Sequence, residues 1–194
     1  MLQRLLAIIV ATGISSAVLA EEATPVTPKG EVESLMNEGI RLAKEMLGKH
    51  GEFYPYGYVM RANGEVQSVA ASDGTEHPTS HQLIDLLNTA FRKGADSGEY
   101  KATAVFIDVR VTPPGGTKTD AVRVGLEHRA GYCVDVYFPY SRSADGRVQF
   151  GELFASPREG VVFRTRTAPN QPPQPTRAAQ PFEEPESERS GQRG

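Results

Sequence analysis

Apolar residues between positions 32 and 47 recur at three- and four-residue steps, a spacing that predicts a helix with one buried face. They are Val32, Leu35, Met36, Ile40, Ala43 and Leu47. Gly48 or Gly51 would end this helix, because glycine readily adopts the left-handed conformation that follows a helix. A second helical stripe follows Thr79, which with Gln82 has the spacing of a capping box. It consists of Leu83, Ile84, Leu87, Ala90 and Phe91, and we expect this helix to end before Ser97-Gly98.

The remaining apolar positions alternate with a period of two, which predicts strands. Residues 53–62 and 65–72 flank Asn63-Gly64, the pair that most readily supplies two positive φ angles in a type I′ hairpin turn. Further strands are predicted over 104–111, 122–127 and 134–138, with a short strand over 147–154 and an edge piece over 161–163. The predicted order of elements is helix, two strands, helix, then three or four strands.

This order predicts an α+β fold, because the strands that lack an intervening helix must be joined by hairpins. We expect an antiparallel sheet of five to six strands with two helices on one face, in the order αββαβββ(β). Such an order is similar to the profilin-like, PAS-like and roadblock-like folds. A fold does not determine the chemistry that it carries.

The two ends of the chain differ in composition from its centre. Residues 1–20 are typical of a secretory signal peptide, because they contain Arg4, then an apolar run over 5–10, and then small residues up to Ala20. Residues 21–30 then form a predicted linker, 31–167 a single domain, and 168–194 a disordered Pro-rich tail. We therefore expect a secreted or periplasmic protein with no membrane span once the leader is removed.

Composition narrows the classes of partner. The chain has a net charge of −3, and removal of the leader takes one more positive charge, so we expect no nucleic-acid partner. Its single cysteine, Cys133, cannot form an intramolecular disulfide, so stability must come from packing. We interpret Cys133 as a small buried residue. Two alternative roles are a catalytic nucleophile and a partner in an intermolecular disulfide.

Sequence motifs for catalysis are absent. We find no phosphate loop, no Cys-x-x-Cys zinc pair, no nucleophile elbow and no His-Glu-x-x-His, and we predict no catalytic residue, metal or cofactor. His77 and His81 have the four-residue spacing of zinc ligands, but Pro78 and the Thr79 cap place His77 outside the helix. A small hydrolase or metal-dependent enzyme that uses His77, His81 or Cys133 is one alternative. A PAS-like ligand sensor, with an enclosed apolar pocket between helices and sheet, is another.

Two groups of side chains are candidates for binding. If neighbouring strands form a simple meander, one outward sheet face collects charged residues and a tyrosine, and this face is either solvated or a docking surface. Its members are Asp108, Arg110, Arg123, Glu127, Asp135 and Tyr137. Tyr54, Tyr56 and Tyr58 would point to one side of an extended segment, where they cover the core or line a groove.

Several stretches look like a family of small uncharacterised bacterial α+β proteins. They are Gly-Glu-Phe-Tyr-Pro-Tyr-Gly at 51–57, Asp-Val-Arg-Val-Thr-Pro-Pro at 108–114, Leu-Glu-His-Arg at 126–129 and Gly-Glu-Leu-Phe-Ala at 151–155. The likeness covers residues 31–163. The leader and the Pro-rich tail of this chain are additions to the domain pattern of that family. The resemblance implies the fold and no activity.

These observations favour an exported, non-enzymatic domain that binds a protein or a small molecule through its sheet face or an edge strand. An edge formed by residues 54–60 or 161–163 could also pair two copies into a homodimer.

Overall fold

The computed structural model describes residues 27–164. The predicted leader, most of the predicted linker and the predicted disordered tail lie outside the described residues. Neither helix within 27–164 is both long enough and apolar enough to cross a membrane.

The described chain forms an α+β fold with two helices and a seven-stranded antiparallel sheet, in the order αββαβββββ. The helices are α1 (Pro28–His50) and α2 (Ser80–Asp96); the strands are β1 (Tyr56–Arg61), β2 (Val66–Ala70), β3 (Tyr100–Val111), β4 (Thr119–His128), β5 (Cys133–Arg142), β6 (Val148–Phe150) and β7 (Phe154–Pro157). The spatial order is β2-β1-β3-β4-β5-β6, and β7 also pairs with β5. The predicted fold class is confirmed.

The strand predicted over 147–154 ends at Phe150 as β6, and a separate strand, β7, begins at Phe154, which raises the number to seven. Here β6 pairs with the end of β5 (Tyr140 to Arg142), and β7 pairs with its first half (Val134 to Tyr137). Pro139 lies between the two pairing regions and has no N–H to donate, so the ladder is interrupted there. The edge strand predicted over 161–163 is wrong, because that segment forms bends.

Helix ends follow the predicted signals, with one correction. The Thr27 side chain accepts a hydrogen bond from the Gly30 N–H at 3.1 Å and caps α1, so residues 28–30 of the predicted linker are helical. Gly51, with φ of 84°, ends α1 as predicted. Both hydrogen bonds of the Thr79–Gln82 capping box are present at the start of α2.

The first hairpin is confirmed, but its turn is not type I′. Among the described residues no non-glycine residue has positive φ, so Asn63 does not adopt the conformation that this turn needs. Only Gly64 does, with φ of 93°. The Gly64 N–H donates to the Arg61 carbonyl at 2.9 Å, and the Arg61 N–H donates to the Glu65 carbonyl at 2.8 Å. The connection is thus a longer loop closed by a glycine, the next most common hairpin type.

The two helices pack on opposite faces of the sheet, which corrects the prediction that both share one face. On β3, Ala104 and Phe106 belong to the core cluster that includes α1, whereas Val105 and Ile107 belong to the cluster that includes α2. Successive residues of a strand point to opposite faces. The central strand is apolar on both faces because each face is covered by a helix.

Three glycines allow these layers to approach closely. A Cβ at Gly39 of α1 would overlap the ring of Phe106, and one at Gly57 of β1 would overlap the ring of Phe91 on α2. A Cβ at Gly94 would likewise overlap a tyrosine ring of β3. At these points the helices lie directly against the sheet, where the PAS-like alternative would have placed a ligand.

Candidate functional site

The charged residues predicted on one sheet face lie on two. In the register of β3 and β4, Ile107 pairs with Arg123, and Asp108 pairs with the buried Val122. Asp108 and Arg110 therefore lie on the α1 face, and Arg123 lies on the α2 face with Glu127, Asp135 and Tyr137. The predicted six-residue surface does not form, because the register decides which residues share a face.

Asp108 and Arg110 take part in separate contacts on the α1 face. Arg110 pairs with Asp120 at 3.1 Å in an exposed salt bridge, and the Tyr140 hydroxyl donates to Asp108 at 2.9 Å. Burial raises the pKa of the Asp108 carboxyl, and the charges of Asp120 and Glu52 act in the same direction against the Tyr140 hydrogen bond. Burial, followed by the contact with Asp108, raises the pKa of Tyr140.

The predicted tyrosine row splits between core and surface. Tyr56 is buried, stacks on Phe106 with ring centres 5.0 Å apart, and donates to the Gly39 carbonyl at 2.9 Å. It is therefore a core residue. Tyr54 precedes β1, is 53% exposed, and lines a cleft of about 320 Å³. The other residues that line this cleft are Met46, His50, Glu52, Phe53 and Ser80.

Glu127 holds residues 158–163 against the α2 face. Its side chain is 2% exposed and accepts a hydrogen bond from Arg158 at 2.6 Å. The backbone N–H groups of Val161 and Val162 also donate to this carboxylate, at 3.0 and 2.8 Å. We call residues 158–163 the strap. Glu127 is thus satisfied within the fold, and it is not available to a ligand.

The strap also covers Cys133 and involves Asp135. Asp135 lies 3.5 Å from the Arg158 guanidinium, which passes so close to Gly125 that a Cβ there would overlap it. Cys133 pairs with Glu127 across the strands and lies beneath Gly160 of the strap. Burial, and then the charge of Glu127, raise the pKa of the Cys133 thiol against the effect of Arg158. A thiol with a raised pKa is a poor nucleophile.

The two histidines named for metal binding lie just before α2 and in its first turn. His77 precedes α2, and the His81 side chain is 86% exposed with Asp85 at 3.5 Å. Within residues 27–164, no group of three His, Cys, Asp or Glu side chains has the arrangement to hold a metal ion.

The α2 face between β4 and β7 carries the remaining predicted residues, Arg123 and Tyr137. Helix α2 packs on β1 and β3, and the strap is bonded to Glu127 at the far end of β4. Arg123, Tyr137 and Phe154 are each half-buried. Tyr137 pairs with Phe154 of β7, and their rings stack in parallel with centres 4.7 Å apart. We call this surface the open patch, formed by Arg123, Tyr137, Pro139, Leu153 and Phe154.

A cleft adjoins the open patch and widens its apolar surface. It has a volume of about 360 Å³ and shares Pro139, Leu153 and Phe154 with the patch. Its other lining residues are Pro113, Pro114 and Glu152. Leu153 is 53% exposed, one of three large hydrophobic side chains that are exposed in the described chain. The sequence indicated Tyr137 but not the prolines or Phe154, because Pro113 and Pro114 come from the β3–β4 connection, Pro139 from β5 and Phe154 from β7.

Arg123 is the charged member of the open patch. It stands between Ile107 and Tyr137 on neighbouring strands. No carboxylate of residues 27–164 forms a salt bridge with it, whereas Arg110 and Arg158 both have partners. Its Nε is buried without a hydrogen-bond partner among the described atoms. An unpaired guanidinium beside aromatic rings favours an anionic or carbonyl group of a ligand.

One cluster of buried charged side chains was not predicted from the sequence. Glu31 of α1 accepts hydrogen bonds from Lys101 at 2.5 Å and from the His128 Nε2 at 2.8 Å. Burial acts to raise the pKa of Glu31, but the hydrogen bonds and charges of Lys101 and His128 together lower it. The Ala130 N–H donates to His128 Nδ1 at 3.0 Å, so all three side chains are used in joining α1 to the sheet. No local motif connects residues so far apart in the chain.

Comparisons with protein-family models, with curated proteins and with solved structures found no match to this chain. The resemblance to a bacterial family and the likeness to profilin-like, PAS-like and roadblock-like folds stay predictions.

Proposed function

We propose that this protein is an exported, non-enzymatic binding domain that holds an extended peptide segment of a partner protein on the open patch. The observation that carries the proposal is the position of α2. Helix α2 lies over β1 and β3, whereas a stacked aromatic pair and Arg123 on β4, β5 and β7 stay half-buried.

The chemistry of the open patch favours a segment rich in proline with a nearby acidic residue. Grooves lined by aromatic side chains bind extended proline-rich peptides, which lose little conformational entropy on binding. The Tyr137–Phe154 stack and the cleft beside it supply such a lining. Arg123, which has no carboxylate partner among the described residues, supplies the charge that an acidic residue of the peptide would pair with.

Selection from a library of displayed peptides tests the binding proposal. We expect residues 21–194 to enrich peptides that contain proline and an acidic residue. For a selected peptide, Tyr137→Ala and Arg123→Ala should each weaken binding by about tenfold or more in fluorescence anisotropy, the size typical of a central contact.

The chain offers a matched control for each variant. Tyr54→Ala removes a tyrosine that is 53% exposed outside the patch, and Arg110→Ala removes an exposed arginine on the α1 face. Neither should change the affinity. Failure to enrich any peptide, or equal losses in test and control variants, would refute the proposal.

Export rests on the character of residues 1–20 and has its own test. Cell fractionation followed by N-terminal sequencing should find the protein outside the cytoplasm with Glu21 as its first residue. Cytosolic protein with an intact leader would contradict this part of the proposal.

A further inference from the structure

The two edges of the sheet differ in how well they are protected from pairing with another strand. One edge consists of β6 and β7, which have three and four residues and are separated by residues 151–153; β7 ends at Pro157. Short, interrupted strands and proline are devices that keep a sheet edge from pairing. The other edge is β2, a regular strand of five residues.

Strand β2 lacks those devices. Its sequence, Val66–Ala70, contains no charged residue, proline or glycine, and among the described residues it pairs only with β1. Gln67 and Ser68 are exposed. An uncharged, regular edge with free backbone N–H and C=O groups is a template for another strand. The edges predicted from the sequence, 54–60 and 161–163, are respectively inside the sheet and outside any strand.

We propose that β2 pairs antiparallel with β2 of a second copy of this chain, so that two sheets join into one across a two-fold axis. The occupant is a second copy because β2 has no charged residue of its own, so two β2 strands place no like charges opposite each other. Arg61 of β1 donates to Gln67 at 3.1 Å, but its charge is paired with Glu65 and Glu99. With Ser68 opposite its counterpart, Val66 lies opposite Ala70 and Gln67 opposite Val69.

Apolar side chains flank this edge on both faces of the sheet. Val66 packs partly buried against the α1 cluster, and Val69 packs partly buried against the α2 cluster. In the paired arrangement each would be covered by the second copy. Stable interfaces bury at least about 1,000 Å² in total, so this apolar surface must add to the backbone ladder. The open patch lies across the sheet from β2, and pairing leaves it free.

Sedimentation of the chain from Glu21 onward tests the pairing. We expect a dimer whose fraction rises with concentration between about 1 and about 200 µM, as mass action requires. Ser68→Lys should weaken the dimer by about tenfold or more, because Ser68 is exposed and lies opposite its counterpart, where two lysines would repel each other. Gln149→Lys is the control, since Gln149 is also exposed in an edge strand. It should leave the dimer unchanged.

A cysteine variant tests the register independently of stability. In a Cys133→Ser background, Ser68→Cys should form a disulfide-linked dimer in air, and Gln149→Cys should not. A monomer at every concentration would overturn the proposal, and so would equal weakening by both lysine variants. The result is separate from peptide binding, which uses the opposite part of the sheet.

Discussion

Replacement of Glu127 by alanine removes the buried carboxylate that holds the strap. Its side chain is 2% exposed, and the partner Arg158 is 18% exposed. The change leaves that guanidinium and two backbone N–H groups without their acceptor. Removing one partner from a buried ion pair costs about 3–5 kcal/mol. Arg158 can turn partly toward water, so we expect about 3 kcal/mol.

Urea unfolding followed by circular dichroism measures this loss of free energy. A loss of about 3 kcal/mol corresponds to a fall of roughly 10 °C in Tm for a domain of this size. Asp120→Ala is the matched control on the same strand, because Asp120 is half exposed and its salt bridge is on the surface. We expect this control to lose less than about 1 kcal/mol.

Trypsin gives a local readout of the same change. Arg158 lies in the strap, and its peptide bond should be cut faster in the Glu127→Ala variant because the strap is released. A loss below about 1 kcal/mol with an unchanged cleavage rate would refute the view that Glu127 anchors the strap.

Three further outcomes are expected. Contacts in the folded state lower the pKa of Glu31, so its stabilisation is present above its ordinary pKa and is lost as pH falls through the lowered value. In the Glu31→Gln variant, the free energy of unfolding measured in urea should therefore fall less steeply between about pH 5 and about pH 3. A methyl group at Gly57 would meet a buried aromatic ring, so Gly57→Ala should cost about 1–3 kcal/mol in urea unfolding, whereas Gly116→Ala, with only ordinary contacts, should not. Tyr140→Phe removes a hydrogen bond that lowers the pKa of Asp108, so this pKa should rise in a carboxyl NMR titration; an unchanged value would contradict the contact.

Local sequence signals predicted both helices and the first five strands, and most of the helix ends. The three- and four-residue spacing, the Thr79–Gln82 capping box and Gly51 act within a few residues, so their effect can be read directly. The strand alternation also showed which residues of one strand face opposite sides. The hairpin at Gly64 was predicted, but its loop conformation depended on hydrogen bonds that the two flanking strands make in the folded chain.

Only the tertiary structure decided which residues meet on a face. The two-residue alternation of β3 places Asp108 and Ile107 on opposite faces of the sheet. The register of β3 with β4 then determines that Arg123 lies beside Ile107. Nor could a strand that is apolar on both faces reveal which helix covers which face. The open patch and the Glu127 contacts combine residues from distant segments of the chain. Long-range packing brings these residues together, and no local sequence pattern predicts such contacts.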